Sequence, residues 1–269
     1  MSFVTFAQAV VPDALFRWAR DLPLDVRRFD TRVLDLPDAL DGLLIAQVSD
    51  FHVGSGPLWH PQRLDEVARC VAEERPDLII NTGDFLADVA PLEWVGGAVA
   101  RVQVPDSRVV GVPGNHDYVA GPEVMAGLRS TLAAAGMDVL ENRGTCLTRN
   151  GAGISVFGLT ADMAGWEDAV DWLLRSDRPR LVLIHEPDLA ERLPPGCADL
   201  VLAGHTHGGQ IAVPGLKGPI VRRMCGSRYV EGMYEINGNP VYINRGLGCV
   251  GLPLRVWANP ELTFIRLVR

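Results

Sequence analysis

An α/β layered domain is the fold class this sequence predicts, and two observations predict it. Short apolar runs of strand length each stop in a polar, glycine-rich loop, and stretches with helical spacing separate several of them. The runs are rich in Val, Ile and Leu, the pattern of strands buried on both faces. In chain order they are "LLIAQVSDFH" from Leu43, "DLIINTGDF" from Asp77, "RVVGVPGNHDY" from Arg108, "RLVLIHEPD" from Arg180 and "ADLVLAGHTHGGQ" from Ala198. "ISVFGL", "PVYINRGLG" and "ELTFIRLVR" read as further strands. The helical stretches run from Pro61 to Glu74, Pro122 to Ala135 and Trp166 to Arg175. No repeat or linker divides the chain. Residues 41–269 are expected to form one domain, after an N-terminal extension over residues 1–40.

Composition narrows the function. The 269 residues are 48% hydrophobic and 22% charged, an ordinary globular balance. The formal charge is −8 with no basic cluster, which argues against an extended nucleic-acid surface, since that requires Lys and Arg to replace counterions. Cys70, Cys146, Cys197, Cys225 and Cys249 are odd in number and form no CxxC pair, so reduced thiols and a cytoplasmic location are expected. No stretch approaches the roughly 20 apolar residues of a membrane span. Near the start, Phe3, Phe6, Val10 and Trp18 fall at near-helical spacing, with Arg17 and Arg20 at the end. Such a stripe either packs on the body or lies weakly on a membrane surface.

Chemistry gathers at the predicted strand ends. There are six histidines, and His52, His116, His185, His205 and His207 all lie in loops directly after strands; Asp50, Asp84 and Asn115 share those loops. In open α/β sheets ligands collect at the carboxyl ends of strands, and a set of this composition is a metal or catalytic candidate. Asp50 and His52 are two apart, so an extended segment points both the same way. His205 and His207 repeat that spacing among glycines that permit a tight turn. Each pair reads as a two-pronged clamp on one cation. Asp84 offers two oxygens able to bridge two ions, Asn115 a carbonyl oxygen and His185 an imidazole nitrogen. His60, in "PLWHP", is either an ordinary loop residue or a substrate contact. The glycines of "GHTHGGQ" do not form a Walker-type loop, because the GK[ST] ending is missing.

"SDFH", "TGDF", "PGNHDY", the His after "LVLI" and "AGHTHGGQ" together resemble, in content and order, the calcineurin-like metallophosphoesterases. The resemblance runs from about Leu43 to the C-terminus. The closing "YINRGLGCVGLPLRVWANPELTFIRL" resembles a bacterial branch of membrane- and envelope-associated phosphodiesterases, which includes enzymes that cleave UDP-diacylglucosamine. Phe51 stands where the first motif usually has Leu, outside the ligand set.

The resemblance implies a four-layer αββα sandwich: two mixed sheets flanked by helices, with the metal site at the strand ends. It implies two divalent ions, one held by Asp50, His52 and His207, the other by Asn115, His185 and His205, with Asp84 bridging. Mixed imidazole and carboxylate ligands favour Mn, Fe, Zn or Co. Such a pair of ions activates water for in-line attack on phosphorus. His116 is implied as a general acid rather than a ligand, on the expectation that an extended backbone turns it away from its metal-facing neighbour Asn115. Asp117 either orients His116 or caps the loop. Arg245 in "NRGLG" either binds phosphate or forms a structural ion pair, and Glu186 and Asp188 are candidates for supporting His185.

The expected activity is hydrolysis of a phosphodiester or pyrophosphate, with a phosphomonoester on a small or lipid-linked substrate as the alternative. A non-catalytic scaffold of the same fold would lack ligands, whereas every motif position is filled. A metallo-β-lactamase-like enzyme would carry an HxHxDH run, which is absent.

Overall fold

The computed structural model describes residues 22–54, 61–87, 90–251 and 254–269. Phe3, Phe6, Val10, Trp18 and His60 lie outside the described residues. In chain order the elements begin β1 (Asp25–Arg32), β2 (Leu44–Val48), α1 (Pro61–Glu74), β3 (Leu78–Asn81), α2 (Leu92–Arg101) and β4 (Arg108–Gly111). Then come α3 (Asn115–Val119), α4 (Pro122–Ala134), β5 (Asp138–Val139), β6 (Arg143–Arg149), β7 (Ala152–Gly158) and α5 (Trp166–Arg175). The chain closes with β8 (Arg180–Leu183), β9 (Leu200–Ala203), α6 (Lys217–Cys225), β10 (Gly232–Ile236), β11 (Asn239–Ile243) and β12 (Glu261–Val268).

Two six-stranded sheets result, in the orders β1-β12-β2-β3-β4-β5 and β10-β11-β9-β8-β7-β6. β2 through β5 are mutually parallel, as are β7, β8, β9 and β11. β12 runs antiparallel to β2, β6 to β7 and β10 to β11, so both sheets are mixed. The apolar runs are explained by which face each residue takes. Ile45, Ile80, Val110, Leu181, Leu200 and Leu202 point between the sheets. Their neighbours Ala46, Ile79 and Val109 pack outward with Leu64, Val67 and Val71 of α1, Val95 and Val99 of α2, and Leu128 and Leu132 of α4. On the other outer face, Val182 and Val201 meet Trp166, Ala169 and Leu173 of α5. With both faces covered, most positions along these strands are apolar, and the layers read α, β, β, α.

Residues 25–32, placed by sequence in the N-terminal extension, form an edge strand of the first sheet, in register with β12 from Asp25↔Glu261 to Arg32↔Val268. Among the described residues, no helix is long and apolar enough to cross a membrane.

The topology delivers strand ends to one edge. The carboxyl ends of β2 and β11 meet through Leu247 N–H donating to Ser49 O at 3.0 Å, and those of β8 and β9 through Gly204 N–H donating to His185 O at 3.1 Å. The packing between sheets therefore fixes the spacing of the groups above it. Leu202, with 0% of its surface exposed, lies in that layer just before the His205 loop. Leu202→Ala should lower unfolding free energy by about 2–5 kcal/mol, measured by urea denaturation; a loss below about 1 kcal/mol would mean that the layer repacks freely.

Candidate metal centre

Asp84 is the middle of the site. It follows β3 on a backbone turned by Gly83, and it is 1% exposed. Its Oδ1 accepts the backbone N–H of His116 at 2.9 Å. Its Oδ2 lies 3.1 Å from His185 Nε2 and 3.4 Å from His52 Nε2. Around it the side chains sort into two groups whose ligand atoms lie within 4.8 Å of one another: Asp50, His52 and His207, and Asp84, His185 and His205. In the first, His52 Nε2 is 3.0 Å from His207 Nε2, and His207 Nε2 is 3.4 Å from Asp50 Oδ1. In the second, His205 Nδ1 is 3.3 Å from His185 Nε2.

Neither Asp50–His52 nor His205–His207 is extended: φ is 52° at Asp50, 44° at His52, 73° at His205 and 51° at His207. His207 opens a short 3-10 turn, His207–Gly209. The left-handed turns send His205 and His207 to different groups rather than to a shared one. The backbone around His116 is also not extended, because Asn115 and His116 begin α3. His116 is half-buried, and its ring stands edge-on to His52 with centroids 5.0 Å apart.

Missing side chains let the loops approach. A Cβ on Gly204 would fall 2.1 Å from Ser49 Oγ and 2.5 Å from Asp50 Oδ2. A Cβ on Gly114 would fall 2.2 Å from Asp84 Oδ1. Through these gaps Asp50 accepts the His205 N–H, at 3.1 Å and 3.2 Å to its two oxygens.

The electrostatics suit cation binding. Burial lowers the pKa of His52 and His205, the latter helped by the His185 charge. Burial and then the Arg255 guanidinium push His207 well below its usual value. A lowered pKa favours the neutral imidazole, the form that coordinates a metal. His185 goes the other way: burial opposes its charge, but the adjoining Asp84 carboxylate outweighs burial and raises it. Burial pushes Asp50 up. Asp84 stays below the carboxylate range despite burial, because His185 and His52 face it. His185 Nδ1 lies 2.6 Å from the Thr82 carbonyl, leaving Nε2 for a ligand. Asn115, next to the His116 N–H that bonds Asp84, has its Oδ1 buried without a hydrogen-bond partner and is thus an open oxygen donor. A mixed N/O set with an orphaned amide oxygen fits transition-metal ions.

Other sequence candidates resolve as follows. Asp117 is buried and accepts the N–H groups of Gly114 at 2.8 Å, Leu86 at 3.0 Å and Phe85 at 3.3 Å. It is a loop cap that ties the α3 start to the segment after Asp84, and its oxygens are directed at backbone rather than at the His116 ring. Arg245 pairs with Glu261 Oε2 at 2.5 Å and with Asp25, so its donors are engaged in a structural ion pair. The Asp188 side chain accepts the Arg228 N–H at 3.4 Å, and the His185 ring bonds to Thr82 O rather than to Glu186 or Asp188. Residues the sequence reading missed are Thr82, whose backbone carbonyl meets His185, and Arg255 against His207.

The chain belongs to the calcineurin-like phosphoesterase family, whose model matches residues 43–209. Members are hydrolases acting on phosphate esters. The metallophosphoesterase YkuE of Bacillus subtilis (strain 168) is 35% identical over 238 residues, 86% of this chain and 81% of that protein. The phosphodiesterase YaeI of Escherichia coli (strain K12) is 33% identical over 199 residues, 73% of this chain and 72% of that one. Among solved structures, the phosphopantetheinyl hydrolase of Mycobacterium tuberculosis is 13% identical, with a TM-score of 0.48, over 76% of this chain and 89% of that one.

Asp117 gives a pH dependence of definite sign. In the metal-free protein, burial and the Asp84 charge raise its carboxyl to about 7, against the pull of three backbone N–H donors. In an unfolded chain an aspartate titrates near ~3.9. Between those values the folded chain holds the extra proton, so this group's stabilisation falls as pH rises from about 4 toward 7 and is flat above. Asp117→Asn cannot ionise. The unfolding free energy of the wild type minus that of Asp117→Asn should therefore decline by roughly 1–4 kcal/mol across this window. A difference that rises with pH would show the carboxyl ionised in the fold.

Proposed function

We propose that this chain is a binuclear-metal phosphohydrolase acting on a phosphodiester or pyrophosphate. The observation that carries the reading is Asp84 Oδ2, within 3.4 Å of His52 from one group and 3.1 Å of His185 from the other. One oxygen placed between two ligand groups suits a pair of ions better than one. Asp50, His52 and His207 would hold the first ion, and Asn115, His185 and His205 the second, with Asp84 shared. Mn, Fe, Zn and Co fit this donor set. When bound, the two cations supply positive charge for an anionic phosphate and lower the pKa of the attacking water. The phosphodiesterase name of the Escherichia coli relative supports the diester reading.

The protein's own groups do the rest. His116 is the candidate general acid. Its backbone N–H on Asp84 Oδ1 fixes its Cα relative to the ligands, while its ring is half-buried and reaches the edge of His52. In this position it delivers a proton to the departing alkoxide oxygen as the P–O bond breaks. The Asp117 cap holds both the Asp84 loop and the start of α3, so acid and ligands move as one unit.

Elemental analysis of manganese-loaded protein should give about two ions per chain, and bis-p-nitrophenyl phosphate should be hydrolysed faster than p-nitrophenyl phosphate. One ion at saturation contradicts the binuclear reading, and the reverse substrate order favours a phosphomonoesterase. His116→Ala should keep its metal and lose about 10²–10⁴-fold in turnover on alkyl diesters, with a smaller loss on nitrophenyl esters, whose leaving group needs no proton. Equal losses on both would make His116 a substrate-positioning residue.

A further inference from the structure

The largest fully buried side chain of the described residues is an arginine. Arg255 is 0% exposed, and it meets carbonyls and a ring nitrogen rather than a carboxylate. Its Nε donates to Gly248 O at 2.8 Å, and its Nη1 to Ala258 O at 3.1 Å and His207 O at 3.4 Å. Its Nη2 donates to Gly248 O at 2.5 Å and Arg245 O at 2.8 Å, and stands 2.8 Å from His207 Nδ1. A cation fully removed from water is costly unless its donors are satisfied, and here they are satisfied by His207, by Ala258 O and by the loop after β11.

The loop after β11, whose carbonyls at Arg245 and Gly248 receive the guanidinium, packs on the Asp50 turn. Gly248 N–H donates to Asp50 O at 2.7 Å, and a Cβ on Gly246 would fall 2.5 Å from the Asp50 Cβ. His207 arrives from β9 in the other sheet, on a left-handed backbone with φ 51°. Arg255 donates to its carbonyl and lies against the Nδ1 side of its ring; with Nε2 facing the ligand group, the carbonyl contact is the tether. One side chain thus braces Asp50, through the loop under it, against His207. The second group has ties of its own, Thr82 O on His185 and His116 N–H on Asp84, besides the Asp50 carboxylate on the His205 N–H.

We propose that Arg255 is a positioning residue for one ion site only: it holds His207 and Asp50 in register to bind a cation, and the Asp84–His185–His205 group does not depend on it. This rests on the two-ion reading above. Supporting groups behind metal ligands are typically worth about 10–100-fold in affinity. A lysine offers a point charge without the planar fork that spans several acceptors, so Arg255→Lys should not restore the site.

The test is calorimetric titration of metal-free protein with Co²⁺ or Zn²⁺ for the wild type, Arg255→Met and Arg255→Lys, alongside thermal unfolding of each metal-free form. The expected result is one binding step weakened by about 10–100-fold in both variants, with the other step within about threefold of wild type. Equal weakening of both steps, or a lower melting temperature with both steps unchanged, overturns the proposal and leaves Arg255 a structural residue. If Arg255→Met does not fold, Arg255→Lys alone decides by the same two outcomes. If the wild type binds one ion, the two-ion reading fails separately, and the proposal is read on that single step. An affinity unchanged in the variants then overturns it.

Discussion

Everything at the strand ends is organised by one buried carboxylate. Asp84 sits between two sets of histidines and keeps its negative charge in a place where burial alone would neutralise it. It does so because both oxygens have work: one takes a backbone N–H from the α3 start, and the other faces imidazoles from β2 and β8, one in each sheet. A buried charge without such partners would cost several kcal/mol. The sandwich is therefore built so that two sheets bring their carboxyl edges together over this oxygen. The apolar layer between them, with Ile80 and Leu202 near its upper edge, sets the distance.

The second constraint is backbone strain. Asp50, His52, Asp84, His205 and His207 all adopt positive φ, from 44° to 73°. Left-handed backbone at non-glycine residues costs on the order of 1–3 kcal/mol each. It persists because the turns are tied from outside. Asp50 N–H donates to Gly83 O at 2.8 Å, and His52 N–H to Asp84 O at 3.0 Å. Asp117 collects three further N–H groups around the same turn. The glycines at 83, 114 and 204 remove the side chains that would hold these loops apart. The result is a rigid set of ligand atoms at the carboxyl ends of parallel strands.

This division explains what the sequence revealed and what it hid. Strands buried on both faces are largely apolar runs, so β2, β3, β4, β8 and β9 were legible, and so were the polar residues at their ends. The helices α1, α4 and α5 carry clear apolar stripes. By contrast, α2 contains Gly96-Gly97 and α6 contains Gly218-Pro219, which weaken the helical signal. β1, "DVRRFDTR", is an edge strand with charged residues outward, and it reads as polar coil. At the site, residue identities were legible but their grouping was not. Whether His205 and His207 share a cation depends on φ at each, and spacing assumes an extended chain. The role of Asp117 depends on Leu86 and Phe85, 31 and 32 positions away, and that of Arg245 on Glu261 and Asp25, 16 and 220 positions away. Arg255 gave no signal, because a lone arginine in "PLRVW" looks like a surface residue until its burial is known.

The central claim is that Asp84 is shared by two cations. Anomalous diffraction from manganese-loaded crystals tests it most directly. The account predicts two peaks roughly 3.5–4 Å apart, both within bonding distance of the Asp84 carboxylate, one beside His52 and His207 and the other beside His185 and His205. A single peak, or two peaks of which one does not touch Asp84, would contradict it.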